Sequence, residues 1–197
     1  MSTKSTTVAL LTSLSLFMTG CGVYEQGPSA SVVGITQLVG APGAKPDAFN
    51  GTLLSDVTTK SSIFNDIGRV TMVLALKDPG APGVTNVPGP LNAVTFTHYR
   101  VEYRRTDGRN TQGVDVPYAF DSGLTFTVRA DGSASATFDI VRHTAKQEAP
   151  LKALATDTQV INTVADVSFY GKDQGGKSVT VVGSMGISFG NFADPTN

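Results

Sequence analysis

Every second residue is apolar over much of this chain, which is the period of a β-strand with one buried and one solvated face. Residues 69–77 show this pattern most clearly, with Val70, Met72, Leu74 and Leu76 on one face. Further strands are predicted over residues 32–38, 52–57, 93–105, 124–128, 134–140, 161–169 and 179–189. The pattern therefore favours about seven or eight short strands, of which the stretch 52–57 is a short edge strand.

Residues 93–105 form the longest of these predicted strands. The face predicted to point inward carries Thr97, Tyr99, Val101 and Tyr103. The face predicted to be solvated carries His98, Arg100, Glu102 and Arg104.

Turn signals separate the predicted strands. Residues 130–133 (ADGS) contain an Asp-Gly pair, which predicts a hairpin between the strands on either side. A second turn is predicted at residues 172–176 (KDQGG). Four prolines in residues 78–90 exclude a helix there. Residues 147–155 lack β-branched side chains, and we expect one helical turn after Pro150.

Strand periodicity with almost no helical periodicity predicts an all-β fold, namely an antiparallel β-sandwich. Residues 32–190 are predicted to form one such domain, followed by a tail over residues 191–197. The run from Val167 to Val179 (VSFYGKDQGGKSV) resembles the last hairpin of bacterial immunoglobulin-like and fibronectin-like modules. This resemblance covers about residues 120–190 and implies an immunoglobulin-like sandwich. The cysteine pair and core tryptophan usual in such modules are missing from the chain.

The first twenty residues have the layout of a cleaved secretory signal peptide. Lys4 and the amino terminus supply positive charge, and residues 8–18 form an apolar segment too short to span a hydrocarbon core of ~30 Å. The tetrapeptide Met18-Thr19-Gly20-Cys21 then resembles the lipobox of bacterial lipoproteins, in which an apolar, a small and a Gly or Ala residue precede the cysteine. Met18 departs from that pattern, because leucine is usual there.

The lipobox resemblance implies that the thiol of Cys21 receives a diacylglyceryl group and that the signal peptide, residues 1–20, is removed. The partner it implies is a membrane, held through acyl chains. Gly22 favours the outer membrane, since aspartate at this place retains enteric-type lipoproteins in the inner membrane. Residues 21–31 are then the lipidated cysteine and a tether. Two alternatives are an ordinary secretory signal that happens to end at a cysteine, and a cytosolic protein with a free thiol.

The composition of the chain limits the kinds of bond and binding site that it can form. Cys21 is the single cysteine, so a disulfide within the chain is excluded. The chain has two histidines, His98 and His143, and a structural zinc site is not expected because it needs four ligands, mostly Cys and His. Removing residues 1–20 takes away Lys4 and no acid, which leaves 14 basic and 16 acidic side chains and a net charge of −2. This balance does not favour binding to nucleic acid.

Motifs for catalysis are missing from the sequence. It has neither a Gly-x-Ser-x-Gly nucleophile elbow nor a glycine-rich phosphate loop. We interpret both histidines as exposed strand residues. A calcium site is a further hypothesis, and its candidate ligands are Asp107, Asn110, Asp115 and Asp121. Their spacing fits ordinary turn chemistry better.

Two surface features remain. The densest basic cluster consists of Arg100, Arg104, Arg105 and Arg109. Acidic residues lie among these arginines, which favours a solvated surface over an anion site. Tyr118 and Phe120 either form an exposed apolar loop for a partner or pack over the edge of the sandwich.

These observations predict neither enzymatic activity nor a cofactor. The function they favour is a lipid-anchored protein of the cell envelope, which presents a non-catalytic β-sandwich for structural use or for another envelope protein. The alternative is a lipoprotein that binds a carbohydrate or another small ligand, although the chain has no tryptophan and 8% aromatic residues for a stacking platform. An enzyme built from scattered Asp, Arg and Tyr residues is a third hypothesis.

Overall fold

The computed structural model describes residues 28–130 and 132–192. The predicted signal peptide and Cys21 lie outside these residues, as do residues 193–197 of the predicted tail, whereas Asn191 and Phe192 are described. The strands are β1 (Ser31–Ala41), β2 (Thr52–Asp56), β3 (Asp66–Leu76), β4 (Gly80–Ala81), β5 (Val84–Thr85), β6 (Val94–Arg104), β7 (Phe120–Val128), β8 (Ser133–Val141), β9 (Ile161–Asp173) and β10 (Ser178–Gly190). The helices are α1 (His143–Lys146) and two 3₁₀ helices, Pro90–Asn92 and Leu151–Thr156. Within the described ranges, every helix falls short of the length and hydropathy that crossing a bilayer requires.

The strands form two main sheets, which confirms the all-β prediction. One sheet has the order β1-β3-β8, and the other has the order β2-β10-β9-β6-β7. The pairs within them are antiparallel, with the exception of β2, which runs parallel to β10. The short edge strand predicted over residues 52–57 is therefore confirmed, but the antiparallel prediction is wrong for it. The chain crosses from one sheet to the other between β1 and β2, and a crossover does not impose the antiparallel direction that a hairpin does.

The two sheets share one hydrophobic core. The ring of Phe138 in β8 lies 4.9 Å from that of Tyr99 in β6 and 5.4 Å from that of Phe169 in β9, measured between centroids. The inward face predicted for β3 is confirmed, because Val70, Met72 and Leu74 are buried. A Cβ at position 68, on the same face, would lie 2.5 Å from the ring of Phe138, so this position favours glycine.

Strand β6 departs from the predicted alternation at one residue. Its register shifts between Phe96 and His98, so Thr97 is exposed, whereas Phe96 is fully buried. The inward position predicted for Thr97 is wrong, because a β-bulge reverses the alternation there. The inward positions of the other three residues, Tyr99, Val101 and Tyr103, are confirmed. At 11 residues β6 is also not the longest strand, since β9 and β10 have 13 residues each.

Strands β7 and β8 do not form the hairpin that residues 130–133 predict. Strand β7 pairs with β6, whereas β8 pairs with β3 in the other sheet. The two strands therefore belong to different sheets, and the hairpin prediction is wrong. Both arrangements bury alternate residues of β7 and β8, so the alternation could not distinguish them. The turn predicted at residues 172–176 does close a hairpin, between β9 and β10, and the helical turn after Pro150 is confirmed by the 3₁₀ helix.

Candidate functional site

A cavity of about 620 Å³ opens at one end of the two sheets. It lies where β1 and β2 end and β3 begins, and we call it the Asp66 cavity. Apolar parts of its wall come from Leu54 and Phe64, whose side chains are exposed, and from Phe192 after β10. Lys45 and Lys60 belong to the same lining. Its wall therefore combines apolar surface with charged residues of both signs, because Asp56 also belongs to the lining.

A buried ion pair lies beneath this cavity. Lys146 Nζ is 2.9 Å from Asp66 Oδ1, and both side chains are 1% exposed. Lys146 Nζ also donates to the carbonyl oxygen of Asp56 at 2.8 Å. The Asp66 carboxylate accepts two more hydrogen bonds, from the backbone N–H of Gly43 at 2.9 Å and from Ser55 Oγ at 2.6 Å. The pair thereby joins the loop after β1, strand β2, strand β3 and helix α1.

Burial and hydrogen bonding act on the Asp66 carboxyl in opposite directions. Burial raises its pKa above the ordinary value, while the ammonium group of Lys146 and the donors from Ser55 and Gly43 act to lower it. In this network the carboxylate accepts three hydrogen bonds, one of them from Lys146, and no buried side-chain nitrogen or oxygen of the described residues lacks a partner. We therefore interpret the pair as the structural floor of the cavity rather than as its reacting groups.

Sequence reasoning missed Asp66 and Lys146, although one signal pointed to Asp66. It lies two and four residues before Gly68 and Val70, in phase with the buried face of β3. A charged residue at an inward position of a strand requires a partner, because an unpaired buried charge is strongly unfavourable. The sequence gives no comparable signal for the partner, since Lys146 is brought in by α1 from 80 residues further along.

Asn65 holds α1 in place above β3. Its Oδ1 accepts hydrogen bonds from the backbone N–H of His143 at 2.6 Å and lies 2.8 Å from His143 Nδ1. Its Nδ2 donates to Asp139 Oδ2 at 3.1 Å. The exposed position predicted for His143 is confirmed, but this residue begins α1 rather than ending a strand.

The other predicted histidine lies on the outer face of the five-stranded sheet. His98 is exposed, as predicted, and its ring stacks on that of Tyr170 with 4.7 Å between centroids. The structure places His98 in the middle of β6 and His143 beyond the end of β8. The two histidines therefore belong to different surfaces.

The predicted basic cluster is interleaved with carboxylates. Arg100 pairs with Glu102 at 2.8 Å and with Asp121 at 2.6 Å. Arg104 pairs with Asp166 on the neighbouring strand β9 at 2.5 Å. These contacts favour the interpretation of the cluster as a solvated, charge-balanced strand face. Exposed pairs of this kind contribute little to stability.

The remaining two arginines of the cluster share one carboxylate. Both Arg105 and Arg109 pair with Asp107, at 2.5 Å and 3.0 Å. The hydrogen bond from Arg105, followed by those from Arg109, holds the pKa of the Asp107 carboxyl well below its usual range. The Asp107 carboxylate therefore stays ionised, and its partners are the two arginines of its own turn.

The four candidate calcium ligands have different partners. Asp107 binds two arginines, and Asp121 binds Arg100. Asn110 Oδ1 accepts the backbone N–H of Arg105, and Asp115 Oδ2 accepts that of Thr111. In the part of the chain that the structure describes, no three His, Cys, Asp or Glu side chains are grouped as metal ligands would be. The contacts favour turn chemistry for these residues.

Tyr118 and Phe120 separate in the structure. Tyr118 is exposed, whereas Phe120 is buried at the start of β7. The Phe120 ring lies 6.2 Å from that of Tyr99, and the guanidinium carbon of Arg142 is 3.9 Å from the centroid of the Phe120 ring. The hypothesis of an exposed apolar pair is therefore wrong for Phe120, which packs over the core.

Comparisons with known proteins add no relative to this description. Neither a family model, nor a curated protein, nor a solved structure matches the chain.

Proposed function

We propose that this chain is a lipid-anchored protein of the bacterial cell envelope, whose β-domain is a non-catalytic module that binds another envelope protein. The observation that carries the proposal is the lipobox-like tetrapeptide ending at Cys21, which follows a short apolar segment with a positive start. Acylation at Cys21 would hold the domain on a membrane, since two or more acyl chains give stable anchoring. The outer membrane is the proposed location.

The proposal includes an immunoglobulin-like sandwich for residues 32–190. Support comes from two sheets over one core, from antiparallel pairing in all but one pair of strands, and from the final β9–β10 hairpin. The parallel edge strand β2 is an addition to the usual plan of such sandwiches. A sandwich of this kind is a rigid scaffold that presents loops at its two ends.

The non-catalytic part of the proposal rests on how the ionisable side chains are used. The arginines of the outer face pair with neighbouring carboxylates, and the buried Lys146 pairs with Asp66. The outer-face pairs balance the charge of a solvated strand face, and the buried pair joins several elements of the scaffold. The surface available to a partner is then the end that carries the Asp66 cavity, which is the end of β1 furthest from the amino-terminal segment.

Intact mass of the protein extracted from bacterial membranes tests the anchor. We expect the mass of residues 21–197 plus acyl chains, with loss of mass after lipase treatment. The Cys21→Ser variant should remain at the precursor mass, while Thr19→Ser, which keeps a small residue, should be processed normally. An unmodified mass for the natural chain, or normal cleavage and membrane binding of Cys21→Ser, would overturn the proposal.

A second candidate function is small-ligand binding, which the Asp66 cavity favours. Its volume lies within the range of small-molecule sites, and its wall offers Phe64, Leu54 and two lysines. These groups fit a ligand with an apolar body and an anionic group. Titration with octanoate followed by NMR tests this candidate. Shifts confined to the cavity residues, weakened in Phe64→Ala and unchanged in Val182→Ala on the outer face, would support it. Equal shifts in both variants would contradict it.

A further inference from the structure

The first described residues, 28–31, lie beside the base of one loop. The carbonyl oxygen of Ala30 accepts a hydrogen bond from the backbone N–H of Lys77 at 3.0 Å. Ser31 Oγ donates to the carbonyl oxygen of Asn92 at 2.7 Å. Lys77 and Asn92 bracket residues 78–91, which we call the β4–β5 loop. This loop therefore starts and ends at the point where the amino-terminal segment reaches the domain.

The β4–β5 loop has a defined conformation of its own. Strands β4 and β5 pair, and the backbone N–H of Asn86 donates to the carbonyl oxygen of Pro79 at 3.0 Å. Near its end, the backbone N–H of Gly89 donates to Asn92 Oδ1 at 2.8 Å. These hydrogen bonds fix the backbone of the loop, and the backbone determines where its side chains lie.

Three apolar side chains of the loop are highly exposed, beside the exposed polar residues Asp78, Thr85 and Asn86. Val84 is 70% exposed, and Val87 and Leu91 are each 81% exposed. These are the three highest values among the exposed large hydrophobic side chains of the described residues. Three apolar side chains this exposed, in one loop with a defined conformation, point to an interaction site.

Three exposed lysines lie at the same end of the domain, with Asp78 and Asp173 beside them. Lys77 stands at the base of the loop, and Lys172 and Lys177 flank the β9–β10 turn. That turn adjoins the loop because Asp173 pairs with Val94, two residues after Asn92. Exposed apolar side chains with lysines at the same end of a domain are a combination that a membrane interface with anionic lipids favours.

We propose that the β4–β5 loop inserts Val84, Val87 and Leu91 into the surface of the membrane that holds the acyl chains of Cys21. This inference rests on the proposed lipid anchor. Ser29 lies eight positions after Cys21, and eight residues of extended chain reach at most ~28 Å. The covalent connection therefore keeps the loop within reach of the bilayer. The contact orients the domain with the Asp66 cavity facing away from the membrane.

Fluorescence of the acylated, full-length protein in vesicles tests the contact. Cys21 is the single cysteine, and acylation blocks its thiol, so a cysteine introduced elsewhere is a unique site for an environment-sensitive label. The test variants are Val87→Cys and Leu91→Cys. The matched control is Val114→Cys, since Val114 is 66% exposed and follows the other end of β6. The vesicles contain phosphatidylethanolamine and phosphatidylglycerol, with or without bromine on the acyl chains.

We expect the labels at positions 87 and 91 to emit at shorter wavelength in vesicles and to be quenched by brominated lipid, with no change at position 114. Labels at 87 and 91 that behave like the one at 114, in protein whose mass shows acylated Cys21, would overturn the loop contact and leave the anchor intact. A shift to shorter wavelength without quenching would mean that the loop packs on protein, and it would also overturn the contact. An unacylated mass would overturn the anchor and the contact together.

Discussion

The hydroxyl group of Tyr103 in β6 donates a hydrogen bond of 2.6 Å to the carbonyl oxygen of Ile140 in β8, across the core between the two sheets. One residue earlier in β8, the carbonyl oxygen of Asp139 accepts a hydrogen bond of 3.0 Å from Tyr99. Two tyrosines of one sheet thus satisfy consecutive carbonyl groups on an edge strand of the other. The sheets are joined by directional bonds as well as by apolar contact.

Removing the Tyr103 hydroxyl should destabilise the domain. Tyr103→Phe leaves the buried carbonyl of Ile140 without this donor, and we expect a loss of ~1–3 kcal/mol in the free energy of unfolding. Urea denaturation followed by circular dichroism measures it. The control is Tyr118→Phe, whose exposed ring should change stability by less than ~0.5 kcal/mol. Equal stability of the two variants would show that the bridge between the sheets contributes nothing.

Alkaline pH should destabilise the native state through the same residue. Burial, and then the charge of Asp66, raise the pKa of Tyr103 above its ordinary value of 10.0. Above about pH 10 the unfolded chain releases the phenolic proton while the native state retains it, so stability falls as pH rises. Unfolding free energies between about pH 8 and 11 should therefore decline. The decline should be shallower in Tyr103→Phe; an identical slope would contradict the pKa shift.

Breaking the buried ion pair should have a larger effect. Lys146→Met leaves the Asp66 carboxylate unpaired, and we expect a loss of ~3–5 kcal/mol in the free energy of unfolding. The double variant with Asp66→Asn should recover part of this loss, since no uncompensated charge remains. The control is Lys152→Met on the exposed side of the second 3₁₀ helix. Additive effects of the two substitutions would show that the groups are not coupled.

Gly171 in β9 should not tolerate a side chain. A Cβ there would lie 2.5 Å from the carbonyl oxygen of Thr95 and 2.9 Å from Cα of Phe96, which are backbone atoms of β6 beside its bulge. We expect Gly171→Ala to cost ~1–3 kcal/mol. Gly34→Ala in β1 meets nothing within 4 Å and should be neutral or slightly stabilising. Thermal unfolding of the two variants compares them, and similar midpoints would contradict the steric argument.

The alternation of apolar and polar residues predicted the strands well, because burial of one face imposes a period of two on any strand of a two-layered structure. The inward faces of β3, β8 and β9 follow it closely. The same rule failed at Thr97, where one extra residue in a bulge reverses the phase. Local sequence carries no strong mark of a bulge, since the distortion is determined by the strands on either side.

What the sequence determined by itself is the all-β class, the positions of most strands, the β9–β10 hairpin and the solvated face of β6. These features depend on neighbours along the chain. The tertiary structure alone decided which strands pair, so β7 and β8 belong to different sheets and β2 runs parallel to β10. It also brings Lys146 into contact with Asp66, and it places Ser31 against Asn92 at the end of the β4–β5 loop. Those contacts join residues that lie 80 and 61 positions apart, and a pattern of period two contains no information on such distances.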